Sequence, residues 1–247
     1  MRKLLAIGIT LSCLFTLTGA VHSGDADEAR ALINKAIKAG GGEAKLAKFE
    51  SAIMNEKGTY YGMGDAKPYT SVIYMKRPDR FKMEIVGFFA LCLDGDKGWI
   101  MTDKGVVDLT KEQLEIEQAN QRAGWIMSLL PLKDKAYKLQ PAGNAEFDGM
   151  KTSVVIVKRE GYPQVNLYFD KKSDLLVKGQ FFTKSSEQKG KKVKAEFFFS
   201  NFKTVDGATM PHHIVLKHDN KLYVEADVTE IKAAKLDAKA FAKPASN

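Results

Sequence analysis

The chain has 247 residues, of which 45% are hydrophobic and 28% charged, and its formal net charge is +8. This is an ordinary globular balance with enough chain to bury a core. The lysines are dispersed apart from one cluster at 189–192, and no nucleic-acid motif accompanies them, so nucleic acid is excluded as a partner.

Arg2 and Lys3 precede an uncharged run over residues 4–21, and Thr18, Gly19 and Ala20 offer small residues for cleavage. These are the parts of a secretory signal peptide, expected over residues 1–20 with cleavage near Ala20. The rival, a retained anchor, is a weak span because it holds Gly8, Thr10, Ser12, Thr16, Thr18 and Gly19. Cys13 is a poor lipid-attachment site, since Thr10-Leu11-Ser12 precede it and the apolar run continues beyond. Cleavage leaves Cys92 alone, so no internal disulfide forms and stability rests on the core. Between Leu91 and Leu93, Cys92 reads as a small buried hydrophobe. Residues 21–247 read as one domain, with an ordered core over about 25–244.

Residues 25–39 form an amphipathic pattern, with Leu32, Ile33, Ala36 and Ile37 on one face and a Gly40-Gly41-Gly42 stop. A short helix is expected over 43–49. Strands follow at 52–62, 69–76, 81–86, 88–93, 98–102 and 105–109, separated by short turns that imply antiparallel hairpins. A second helix is expected over 110–130, with Thr110 and Gln113 as a capping box and Pro131 as its stop. Gly124 inside it marks either a soft point or close packing. Strands resume near 136 and continue at 151–158, 162–170, 174–183, 193–202, 210–218 and 222–231. Phe241 is a possible anchor for the Ala- and Lys-rich tail. The fold class expected is α+β, mainly β. So many antiparallel strands in one domain imply a barrel or a strongly curved sheet, with the inserted helix covering its open mouth or filling its concave side.

Residues 75–99 organise the rest. Arg77-Pro78 breaks one extended run and starts another, in which Phe81, Met83 and Ile85 alternate with Lys82 and Glu84. Asp94-Gly95 closes a hairpin, and Trp99 follows on the return strand.

Several segments together resemble the LolA-like family, periplasmic proteins related to the lipoprotein carrier LolA and the receptor LolB. Met75-Lys76-Arg77-Pro78-Asp79-Arg80-Phe81 resembles its K-R-P-x-x-F strand start, and Leu93-Asp94-Gly95 with Trp99 resembles its D-G-x-x-x-W hairpin. Phe169-Asp170 followed by Leu175 resembles its later hairpin, and Phe202 to Gly207 followed by Pro211 resembles its lipoprotein-sorting branch. The resemblance implies an open, incomplete β-barrel whose helices cover or plug the mouth, with an apolar cavity for acyl chains beneath this helical lid. It also implies a latch arginine that hydrogen-bonds the lid, a role that falls by position on Arg77, with Arg80 the alternative. Substrate identity does not carry over, because the chain is longer and its 181–202 segment is extended.

A soluble carrier must offset the membrane's hold on an acyl chain, about 0.8 kcal/mol per CH₂. The expected cavity wall is Phe81, Met83, Ile85, Trp99, Leu167, Phe169 and Phe197, with Trp125, Ile126, Met127 and Leu129 on the lid. A filled core without a cavity fits the same alternation. His212, His213 and His218 lack the spacing and acidic partners of a metal site, so neither metal nor cofactor is expected. No nucleophile motif stands out, so no enzyme activity is expected. The function expected is a periplasmic carrier, a chaperone for lipid or lipoprotein acyl chains, that works towards the outer membrane. Its partners would be membrane-bound donor and acceptor proteins, with transient membrane-surface contact by a monomer. A sensing or scaffold domain of the same fold is the alternative, and a hydrolase of an apolar substrate is a third reading.

Overall fold

The computed structural model describes residues 23–185 and 190–245, so the expected signal peptide and Cys13 lie outside the described residues. Helix α1 (Ser23–Ala39) opens the chain and buries Ala29, Ile33, Ala36 and Ile37. The glycine triplet ends it. Gly41 sits at φ 99, and a Cβ there would fall 2.0 Å from the carbonyl oxygen of Gly207. Thr209 N–H donates to Gly40 O at 2.9 Å, so this stop is also a docking point for a distant hairpin. Helix α2 (Glu43–Leu46) is shorter than expected and passes into a 3₁₀ turn, Ala47–Glu50.

Six strands follow: β1 (Ser51–Tyr60), β2 (Lys67–Lys76), β3 (Arg80–Ile85), β4 (Phe89–Asp94), β5 (Lys97–Thr102) and β6 (Gly105–Asp108). Helix α3 (Lys111–Met127) separates them from β7 (Lys138–Phe147), β8 (Met150–Lys158), β9 (Val165–Asp170), β10 (Leu176–Ser185), β11 (Lys191–Val205), β12 (Ala208–His218) and β13 (Lys221–Ala233). All lie in one antiparallel sheet ordered β6-β5-β4-β3-β2-β1-β13-β12-β11-β10-β9-β8-β7. The chain therefore begins at the centre, meanders to the β6 edge, and crosses by α3 to the β7 edge. From there it meanders back until β13 pairs with β1. The sheet curls without closing.

Turn chemistry sets the meander. Asp148-Gly149, Asp206-Gly207 and Asp219-Asn220 each hold two successive positive φ angles between paired strand ends. That is the two-residue turn whose twist matches the strands it joins.

Two apolar layers lie on opposite faces. On the concave side of β7–β11, α1 and the C-terminal end of α3 bury Leu139, Val155, Val157, Val165, Leu167, Phe169 and Phe181. On the convex side of β2–β5, the tail folds back. Phe241, in the 3₁₀ turn Ala238–Phe241, covers Ala90, Cys92 and Trp99.

Candidate functional site

Pairing register defines the concave face of the first wing. Met54, Ile73, Met83, Leu91, Ile100 and Val107 form one continuous row across β1 to β6. Met75, Phe81 and Leu93 form the next. Among the described residues the α1 core packs on the second wing and not on these rows; Met75 packs against the cluster around Phe49, whereas Phe81, Met83, Ile85, Leu91 and Ile100 remain half-buried. The first wing is thus left with an apolar concave face beside the packed core of the second.

Helix α3 bridges the two wings. Its N-terminus carries the expected capping box: Thr110 Oγ1 accepts from Gln113 N–H, and Gln113 Oε1 accepts from Thr110 N–H. Pro131 was expected to end the helix, but the helix ends earlier, at Met127. Leu129 takes a left-handed φ of 67, turning the chain so that Leu129 and Leu132 both enter the core. The chain then continues in a 3₁₀ turn, Leu130–Lys133, with Pro131 near its start.

Polar contacts fasten α3 to both wings. Towards the first wing, Gln118 Nε2 donates to Gly95 O at 3.0 Å and Arg77 Nη1 donates to Gln121 Oε1 at 3.0 Å. Towards the second, Thr183 Oγ1 donates to Asn120 Oδ1 at 2.7 Å, and Arg122 Nη1 donates to Gly161 O at 2.9 Å. Apolar packing holds the C-terminal half. Ala123 and Ile126 are fully buried, and Met127 Sδ occupies the space that a Cβ on Gly179 would need.

Arg77 reaches α3, where its acceptor is a side-chain amide. Burial pushes its guanidinium down to about 10 from the ordinary 12.5. Among the described residues no carboxylate pairs with it. Arg80 instead pairs with Asp94 across the β3–β4 hairpin at 2.6 Å. The guanidinium lies 3.5 Å from where a Cβ on Gly124 would stand, so the helical glycine marks a close pass by Arg77.

The expected wall residues divide three ways. Phe81, Met83 and Ile85 are half-buried on the concave face of the first wing. Leu167 and Phe169 belong to the filled second-wing core, together with lid residues Ile126 and Leu129. Phe197 is half-buried and stacks on Phe181, with ring centroids 6.1 Å apart. Trp125 and Met127 are half-buried on α3. Trp99 must be corrected. It pairs with Cys92, which pairs with Lys82, so it shares the parity of Lys82 and points to the convex side, away from Phe81 and Met83. There its Nε1 donates to Phe241 O at 3.0 Å.

Glu56 was missed. It shares the concave parity of Met54 and is 6% exposed, at a bulge where β1 and β13 shift register between Asn55 and Glu56. Its Oε1 accepts from Ser71 Oγ at 2.9 Å and from Tyr69 Oη at 3.1 Å. Burial raises its carboxyl above the ordinary 4.5, and the two hydroxyls offset part of that shift. A usable signal lay in the sequence: a glutamate at the apolar parity of a strand. The acceptors on α3, Gln118 and Gln121, carried no such signal.

The histidines do not converge. His213 Nδ1 meets Asp227 at 2.8 Å on the outer face, whereas His212 is buried against the Met210 carbonyl at 3.1 Å. Among the described residues no group of three or more ligating side chains could hold a metal ion. Two open depressions lie at the β7 edge, one by Lys138, Lys158 and Arg159 and one by Arg30 and Tyr137, and neither includes an expected site residue.

No family model matches the chain, and no curated protein matches its sequence. Among solved structures it is similar to a LolA superfamily protein from Nitrosomonas europaea, with 15% identity and a TM-score of 0.58 over 87% of this chain and 97% of that one. It is also similar to a DUF1329 family protein from Desulfovibrio piger, with 11% identity and a TM-score of 0.59 over 87% and 97% of the two chains. At these identities the likeness shows the fold, a LolA-like open barrel.

Proposed function

We propose that this protein is an exported, periplasmic carrier without catalytic activity. It shelters lipid or lipoprotein acyl chains in an apolar trough beneath α3 and passes them towards the outer membrane. One observation carries the reading: an apolar row from Met54 to Val107 runs across the concave face of the first wing, Met54, Met83, Leu91 and Ile100 in it are only half-buried, and the first half of α3 is held to that wing by side-chain hydrogen bonds. Such bonds exchange with water at modest net cost, about 1 kcal/mol for a neutral pair and about 1.5–3 kcal/mol for the charged Arg77 donor, so this half of the lid can lift while its packed C-terminal half acts as a hinge. Arg77 is the latch in this reading.

The rim at one end of the barrel supports membrane contact. The turns β1–β2, β3–β4 and β12–β13 and the paired ends of β10 and β11 at Ser185 and Lys191 all lie at that end. Exposed Met63, Val86, Phe88, Phe182 and Leu222 sit on or beside them, and exposed Lys67, Lys184, Lys192 and Lys221 stand among these apolar tips. Apolar tips with lysines suit the headgroup region of an anionic bilayer.

The test is native mass spectrometry of the mature protein together with titration of a fluorescent fatty-acyl probe. Co-purifying lipid or one probe per chain is expected. Bare protein that takes up no probe would overturn the carrier reading.

A further inference from the structure

Along the concave face of β1–β4 the apolar rows are interrupted by Glu56 with its partners Tyr69 and Ser71, and the buried cation Arg77 stands apart at the β2–β3 turn under α3. On β1 the neighbour of Glu56 with the same parity is Gly58, where a Cβ would lie 2.8 Å from the Tyr69 ring. Tyr69 therefore lies flat across the space that glycine leaves, and its hydroxyl reaches Glu56. Ser71, fully buried and opposite Glu56 in register, supplies the second donor to the same oxygen. Among the described residues Oε2 has no partner, and no lysine, arginine or histidine pairs with this carboxylate. On the far side of Ser71 the row continues to half-buried Ile85.

A buried carboxylate without a cation is costly, and the deficit is relieved by a ligand that brings the missing charge. An anionic head is repelled there, and a plain hydrocarbon leaves the oxygen unmet. We propose that Glu56 is a polar anchor within the trough, binding the ammonium head of an amphiphile whose chain lies along Ile73, Met83 and Leu91. Tyr69 and Ser71 hold one carboxylate oxygen in place so that the other meets the ammonium. This inference rests on the carrier reading of the same trough.

The experiment displaces a fluorescent apolar probe from the mature protein with an alkylamine, an alkanol and a fatty acid of equal chain length. In the unchanged protein the amine should displace at a concentration at least about tenfold below the acid. Glu56→Gln keeps an acceptor for Tyr69 and Ser71, and should abolish that preference by weakening the amine while the alkanol is unchanged. Ile85→Lys offers an independent check, because an internal ammonium within reach of Glu56 should also abolish it. Equal displacement by amine and acid in the unchanged protein overturns the proposal, as does a preference that survives both substitutions. Displacement by none of the three compounds overturns the carrier reading instead.

Discussion

Arg77 and Gln121, 44 residues apart in sequence, meet at 3.0 Å where the β2–β3 turn faces the lid helix. The guanidinium is a buried cation whose partners are a neutral amide and the Met75 sulfur at 3.6 Å, not a carboxylate. A hydrogen bond to a charged group of this kind contributes about 1.5–3 kcal/mol, enough to hold a lid closed and small enough to release it.

Arg77→Met and Gln121→Ala should each loosen α3, and together they should be non-additive by about 0.5–3 kcal/mol in a double-mutant cycle on urea unfolding. Hydrogen exchange of α3 amides gives the local readout: faster exchange near Gln121 in either variant, with no further gain in the double. Additive behaviour would mean that the contact does not hold the lid. In transfer assays Arg77→Leu should take up lipid and release it poorly.

Gly179 tests how the lid's other half is seated. A Cβ there would lie 2.2 Å from Met127 Sδ, so Gly179→Ala should cost about 1–3 kcal/mol through overpacking. Adding Met127→Ala should recover part of that loss. A neutral Gly179→Ala would mean that Met127 swings aside freely and that the hinge is not packed there.

Glu56 makes stability depend on pH with a definite sign. Its folded pKa is raised above 4.5, so between 4.5 and the folded value the native state holds a proton that the unfolded chain has released. Stability from this group is present at low pH and declines as pH rises through that window. Glu56→Gln should therefore gain stability over the unchanged protein at about pH 8 and gain less at about pH 4. Urea midpoints at the two pH values check this, and a parallel shift at both would contradict it.

Cys92 reports on the tail. It is fully buried, its Sγ lies 3.3 Å from Phe241 O, and burial pushes its thiol up to about 12. In the intact protein it should be inert to thiol reagents at neutral pH. Truncation before Asp237 removes Phe241 and should render Cys92 reactive while red-shifting tryptophan emission from Trp99. A thiol that stays inert after truncation would mean the hairpin is sealed without the tail.

Phe88 is 74% exposed at the β3–β4 turn. Phe88→Ser should reduce co-sedimentation with vesicles containing anionic lipid and leave thermal stability within about 0.5 kcal/mol. Binding that persists in this variant but falls with salt would assign the contact to the lysines alone.

The strands were legible because alternation and turn residues act locally. The hairpins from Arg80 to Thr102 lie within a residue or so of their expected bounds, since Asp94-Gly95 and the apolar-polar alternation leave little choice of register. The capping box at Thr110 was legible for the same reason. Trp99 was misread because its stretch carries apolar residues at both parities, and only the hairpin register says which parity faces inward. Leu167 and Phe169 were placed on the correct face, but their sequence says nothing about whether a helix or a ligand covers it.

The sequence by itself determined a mainly antiparallel sheet interrupted by one capped helix, because period, turn chemistry and capping are properties of neighbouring residues. Tertiary structure alone decided that α1 fills one wing and leaves the other open, and that the tail seals Trp99 on the outside. It alone brought Gln121 to Arg77 and set Tyr69 and Ser71 around a lone glutamate. These are relations between surfaces distant in the chain, settled by how the sheet curls and which apolar faces compete for the same helix.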